Sequence, residues 1–471
     1  MKDDLQCYFE DILKLCPSAA ASIGLKSKYI FTHYENTYSY EYDNKLKDIL
    51  NKYKNTDNIS LKYIIDNNLN MFKYPFNLLP LYSFENIIMS FDYENDNVYP
   101  KNKLYLHKRI RDFDKIIFSI LERMKEGIEK NITIPKIICK KLIKDLSHKD
   151  YKYRYGKLLN FLKKIYLPHC QDKIGLCNLK DGKEMYKLLI KGYCNFNVSP
   201  EYIHHTGLKE VNRLSKILKS RKTISKSYCK TKKELINLYK NKLNYIQTNI
   251  MPNNFNYKLK TKCKVSSVNN KLAKTMPIAF YNALLKIFYI NTNNLKIHNK
   301  DDILSLTMHE SVPGHHYQFY YMIENNIPLY KIYGINNTAF TEGWALYSET
   351  LGPKNNGAIM AQIFRAVRLV VDTGIHYYGW SYNKAYKYMK KYISYSEEEL
   401  RIELYRYICI PGQAVAYYMG KNYILKLRNL YINVYKLGDI KQFHDFILED
   451  GVVTFDYLMK KLIKQKNNRT I

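Results

Sequence analysis

The segment His309-Glu310-Ser311-Val312-Pro313-Gly314-His315-His316 gathers three imidazoles and a carboxylate into one short stretch, and Glu342 follows in FTEGWALYSE. Histidine nitrogens and a carboxylate oxygen are the donors that bind zinc while leaving one position open for water. A Glu beside that water can take its proton and return it to a leaving group. The chemistry indicated is hydrolysis by a metal-activated water, and the cofactor expected is one zinc ion.

The spacing differs from the ordinary H-E-x-x-H helix, in which ligands four apart share a face. Here Pro313 falls at the four-residue position. On an unbroken helix His315 would point about 120° away from His309, while His316 would share its face but sit about 10.5 Å along the axis. Proline removes a helical hydrogen bond and glycine permits unusual dihedrals, so Ser311-Val312-Pro313-Gly314 is expected to bulge. A two-residue bulge returns His315 to the second-ligand place. We therefore take His309, His315 and Glu342 as the metal set, with His316 as the alternative ligand or a substrate-facing donor. Glu310 is the general base.

Glu349 stands seven residues after Glu342, on nearly the same helical face, and suits a carboxylate that orients a ligating histidine. A helix read over Ile363 to His376 places Arg368, Asp372 and His376 at four-residue steps, with Arg365 nearby. Arg368 and Arg365 would bind a peptide's terminal carboxylate, Asp372 would join Glu349 behind the site, and His376 would donate to the oxyanion. The plainer reading of this face is an i,i+4 ion pair with a buried neighbour.

The elements that must position these groups are mostly helical. Phe113, Ile116, Ile117, Ile120, Leu121 and Met124 recur at helical spacing, as do Leu158, Leu159, Leu162 and Ile165. Asp301 to Met308 opens with acids and becomes apolar, as a helix start does, and so places His309 on a rigid element. Ile287 to Thr292 is short, β-branched and aromatic, hence a strand, read equally as a peptide-binding edge or as the core of a small sheet. The polar run from Asn253 to Asn269 is the only linker-like stretch. The fold class is mostly α with a small β element near the site. Residues 1–471 are read as one unit with an internal cleft, made of a helical half over 1–250 and a catalytic half over 251–471.

With 471 residues, 46% of them hydrophobic, the chain can bury a large core. Its net charge of +32 goes with enrichment in Lys, Asn, Ile and Tyr and is scattered in pairs such as Lys163-Lys164 and Lys390-Lys391. That pattern is a solvated basic surface with affinity for polyanions at low salt, and no nucleic-acid motif accompanies it. Nine cysteines without a C-x-x-C pair read as reduced thiols. The acidic start MKDDLQCYFEDILKLCPSAAASIG lacks the features of a signal peptide, and no window reaches the length of a membrane span. The expected location is the cytoplasm.

Beyond the metal motif, HESVPGHHYQ, FTEGWALYSE, FRAVRLVVDTGIHYYGW and PGQAVAYYMG resemble hallmark segments of the family called domain of unknown function 885, predicted zinc metallopeptidases related to the gluzincins. IPKIICKKLIKDL, SPEYIHHTGLKEVNRL and CPSAAASIGL resemble its N-terminal half, so the likeness spans essentially the whole chain, most specifically from His309 to Gly420. It implies a helical peptidase fold with a deep central channel. Tyr417 matches the family's motif tyrosine and is a second candidate oxyanion donor, while Tyr418 replaces a common Lys, a change that bears on substrate preference. The stretch around Asn253 to Asn269 is shortened. The function expected is hydrolysis of short peptides, of carboxypeptidase or oligopeptidase type. A metal-dependent esterase or amidase, or a basic binding protein with a structural metal site, are the alternatives.

Overall fold

The structure, a computed structural model, describes residues 3–25, 34–83, 86, 88, 90–91, 103–148, 155–221, 227–269 and 276–469. Among these residues it is mostly helical, with one three-stranded sheet. None of the described helices is long and apolar enough to cross a membrane. The chain packs into two units, one of Met1–Ile190, Val371–Lys391 and Tyr395–Gly412, the other of Lys191–Val370, Tyr392–Ser394 and Gln413–Ile471.

In the first unit the helix Lys103–Glu129 buries the stripe that its periodicity predicts, including Phe113, Ile116, Ile120 and Met124. Phe113 packs between Phe91 and Tyr155, with ring centroids 4.0 and 5.4 Å away. Arg123 on the same helix is buried with its charge answered: Nη2 lies 2.7 Å from Asp43 and Nε donates to the Tyr38 carbonyl. One expected core position fails. The helix Gly156–Phe161 widens into a π turn over Leu162–Tyr166, which inserts an extra residue per turn and rotates Ile165 outward, to 48% exposure. Tyr166 takes the inward place, and its hydroxyl accepts from the Ile134 amide at 2.9 Å.

The second unit holds the sheet, β1 (Lys264–Ser267), β2 (Ala279–Asn282) and β3 (Ile287–Ile290), in the order β1-β3-β2. β1 runs parallel and β2 antiparallel to β3, so Val265 and Tyr281 both pair with Phe288. β3 is therefore the central strand, and β2 is an edge. Three strands of this length need an apolar face covered to persist. Phe288 and Ile290 are fully buried, with Phe288 edge-on to Tyr239 at 5.5 Å. The polar run expected to be a linker thus contains β1, whose four residues carry too little pattern to be read without their partner strand.

Five helices carry the residues of interest: α1 (Ile303–Glu310), α2 (His315–Glu324), α3 (Thr338–Ser348), α4 (Asn356–His376) and α5 (Gln413–Asn429). α3 and α5 cross through glycines. A Cβ at Gly343 would lie 2.6 Å from the Gly420 carbonyl carbon, and one at Gly420 would lie 2.0 Å from the Ala339 oxygen. Only glycine at both positions lets the two backbones approach this closely.

Candidate metal centre

α1 is apolar nearly all round, burying Ile303, Leu304, Thr307 and Met308, and so delivers His309 and Glu310 at its C-terminal end inside the protein. The helix stops there and does not bulge. The chain turns through 311–314 and restarts as α2 at His315, with the Gly314 amide donating to the Met308 carbonyl and the His316 amide to that of Ser311. A Cβ at Gly314 would fall 1.9 Å from the His309 oxygen, so the turn requires glycine. From α3, Trp344 Nε1 donates to the Pro313 carbonyl at 2.8 Å and holds the turn.

The consequence is that His309, His315 and Glu342 converge, with one donor atom from each lying within 4.8 Å of the others. Glu342 Oε2 stands 3.4 Å from His309 Nε2 and 3.5 Å from His315 Nε2. The two rings are perpendicular, 5.0 Å apart. Donors bound to zinc at about 2.0–2.2 Å stand roughly 3.3–3.5 Å from one another at tetrahedral angles. Among the described residues Glu342 Oε2 is also buried without a well-formed hydrogen bond, a state that costs free energy unless a cation meets it. The donor set therefore fits a zinc ion.

Electrostatics lead the same way. Burial by itself would raise Glu342, yet the two imidazoles beside it hold it well below the usual carboxylate range. Burial would lower His309, but Glu342 and Glu349 reverse this and lift it to about 9. The site attracts positive charge, whether as protons or as a metal ion.

Behind the cluster, Glu349 Oε1 lies 2.9 Å from His309 Nδ1, Ser305 donates to Oε2, and Arg365 Nη2 is 3.6 Å from Oε1. In the neutral ring this arrangement puts the His309 proton on Nδ1 and turns the Nε2 lone pair to the Glu342 side of the cluster, where it could bind a metal. Arg365, expected to face substrate, makes its ion pair here instead.

Glu310 is nearly buried, and its Oε2 accepts from the Tyr281 amide on β2 at 2.9 Å. Burial raises its pKa, opposed by His309 and His315. A carboxylate so placed can accept and return a proton.

His316 points elsewhere. Only 1% exposed, it lies with Nδ1 2.7 Å from the Tyr281 hydroxyl and Nε2 3.1 Å from the Thr261 carbonyl. Neither nitrogen is left for a metal or a substrate. Arg368 and Tyr417 share a site in the second unit, the guanidinium 4.8 Å from the Tyr417 ring and 4.4 Å from that of Phe364. Tyr417 Oη accepts from Gln413 at 3.4 Å.

Asp372 and His376 belong to the first unit, and the roles expected of them are withdrawn. His376 is fully buried, accepts from the Leu176 amide at Nδ1 and donates from Nε2 to the Tyr407 carbonyl. Both nitrogens are committed to backbone, so the ring cannot donate to an oxyanion. Asp372 Oδ1 accepts from the Tyr186 hydroxyl and the Gly412 amide, which makes it a local tie between chain segments. Sequence reading missed Tyr281, Ser305 and the Pro313 contact of Trp344. Tyr281 acts through its backbone amide, which every residue except proline possesses, so its side-chain type gave no signal.

The family described as "Bacterial protein of unknown function (DUF885)" matches residues 147–462, and the chain belongs to it. No curated protein matches. Among solved structures the chain is similar to a candidate lipoprotein of Colwellia psychrerythraea, with a TM-score of 0.81 and 22% identity over 98% of this chain and 99% of that one. It is also similar to a candidate lipoprotein of unknown function from Shewanella oneidensis, with a TM-score of 0.69 and 16% identity over 98% of each. These likenesses concern the fold.

Proposed function

We propose that this chain, as a member of that family, holds one zinc ion at His309, His315 and Glu342 and hydrolyses peptide bonds in short peptides. The observation that carries the reading is the buried Oε2 of Glu342, equidistant within 0.1 Å from two histidine nitrogens at 3.4 and 3.5 Å. When bound, zinc supplies Lewis acidity, polarising a carbonyl and bringing the pKa of a coordinated water to about 7. Glu310 takes the water's proton and passes it to the leaving amine. Its Oε2 is held by the Tyr281 amide, which leaves the other oxygen to carry the proton. Glu349 keeps His309 in the tautomer that presents Nε2.

An extended substrate is expected along the outer edge of β2, where the Tyr281 amide already reaches Glu310. Tyr417 is the candidate oxyanion donor, and Arg368 beside it is the cation for a terminal carboxylate in a carboxypeptidase mode. A reducing, cytoplasmic setting accords with nine free cysteines.

The deciding experiment combines metal analysis with digestion of a mixture of short peptides by the full chain and by Glu310→Gln. One zinc per chain, peptide cleavage by the unaltered protein, and loss of about 10²–10⁴ in rate with zinc retained in the variant are expected. Zinc without cleavage would replace the reading with a structural metal site. Cleavage confined to esters would replace it with an esterase.

A further inference from the structure

We propose that His316 and Tyr281 are positioning residues for Glu310: the imidazole anchors the phenol of Tyr281, and this anchor holds the Tyr281 amide against the carboxylate. The inference rests on the reading of Glu310 as the base and gives work to the second histidine of the motif.

The hydrogen-bond directions follow from the partners. The Thr261 carbonyl can only accept, so His316 Nε2 carries the proton. Nδ1 is then an acceptor, and the Tyr281 hydroxyl donates to it at 2.7 Å. Thr261 is itself fixed, because the Glu324 carboxylate accepts from the amides of Thr261 and Lys260 at 2.7 and 2.9 Å and from the Tyr257 hydroxyl at 3.1 Å. A continuous chain of contacts therefore runs from Glu324 on α2 through Thr261, His316 and Tyr281 to Glu310.

The chain matters because β2 has four residues and, among the described residues, a ladder on one side only. Such an edge frays easily when nothing else holds it. Tyr281 is tied at both ends, by its phenol to His316 and by its amide to Glu310. The Glu310 carboxylate accepts no other hydrogen bond among the described residues, so this amide sets its orientation. Small displacements of a catalytic group lower the rate without altering substrate affinity.

The test compares the full-length protein with His316→Ala and with Tyr281→Phe, which removes a single oxygen and guards against a folding defect. Zinc per chain, kcat and KM on a mixture of tri- to hexapeptides, and hydrogen exchange of the 279–282 amides are measured. Each variant should keep its zinc, lose about 10–100-fold in kcat with KM nearly constant, and exchange those amides at least about tenfold faster. The double variant should be little worse than either single one, because both cut the same chain of contacts. Loss of zinc in His316→Ala, a rise in KM alone, or unchanged exchange would overturn the proposal. If the unaltered protein cleaves no peptide, the peptidase reading falls, and the exchange comparison still decides the link between His316, Tyr281 and Glu310.

Discussion

Nδ1 of His309 lies 2.9 Å from Oε1 of Glu349, with 4% and 1% of the two side chains exposed. A buried imidazole held this way has its remaining nitrogen aimed in one direction, towards Glu342. Glu349→Gln preserves the shape but removes the charge that favours a cation-binding histidine. Zinc affinity, measured by competition with a chelator, is expected to fall about 10–100-fold. An unchanged affinity would refute the orienting role.

The two adjacent histidines should separate cleanly on metal content. His315→Ala removes a donor from the cluster and should leave the purified protein with little zinc, whereas His316→Ala should retain a full equivalent. The reverse pattern would mean that His316 reaches the metal.

The crossing of α3 and α5 predicts a stability effect with no chemistry in it. Gly420→Ala places a methyl group 2.0 Å from the Ala339 oxygen, so the helices must part. Overpacking of this kind costs about 1–3 kcal/mol, visible as a lower melting temperature. A variant that melts with the unaltered protein would show that the crossing is pliable.

Asp372 gives a pH dependence. Burial lifts it to about 7, with Tyr186 and Gly412 pulling the other way. The folded carboxyl thus holds its proton more tightly than the unfolded one, whose pKa is about 4. Its contribution to stability is greatest below about pH 4 and declines as pH rises through the window up to about 7. Asp372→Asn keeps an oxygen for Tyr186 and Gly412 and does not ionise. The variant should gain in melting temperature relative to the unaltered protein between pH 5 and pH 8, and a constant difference across that range would contradict the assignment.

Much of the fold could be read from periodicity, because a buried stripe such as Phe113 to Met124 repeats within a single helix. The convergence of His309, His315 and Glu342 was legible for a similar reason, since rare types stand close together in the sequence. The choice between His315 and His316 was harder, as helix arithmetic favours neither once Pro313 intervenes. It depends on α1 ending at Glu310 and α2 beginning at His315. Asp372 and His376 misled because an i,i+4 polar face looks alike whether it serves a substrate or the core. The partners of His376 are Leu176 and Tyr407, 200 and 31 residues away, which no local pattern encodes.

α3 supplies Glu342 and, two residues on, the Trp344 that grips Pro313 between His309 and His315. Its docking therefore adds the third donor and locks the separation of the first two in one event. On the zinc reading proposed above, uptake of the ion and completion of folding should occur as a single cooperative transition, with chelation and unfolding of this region each promoting the other.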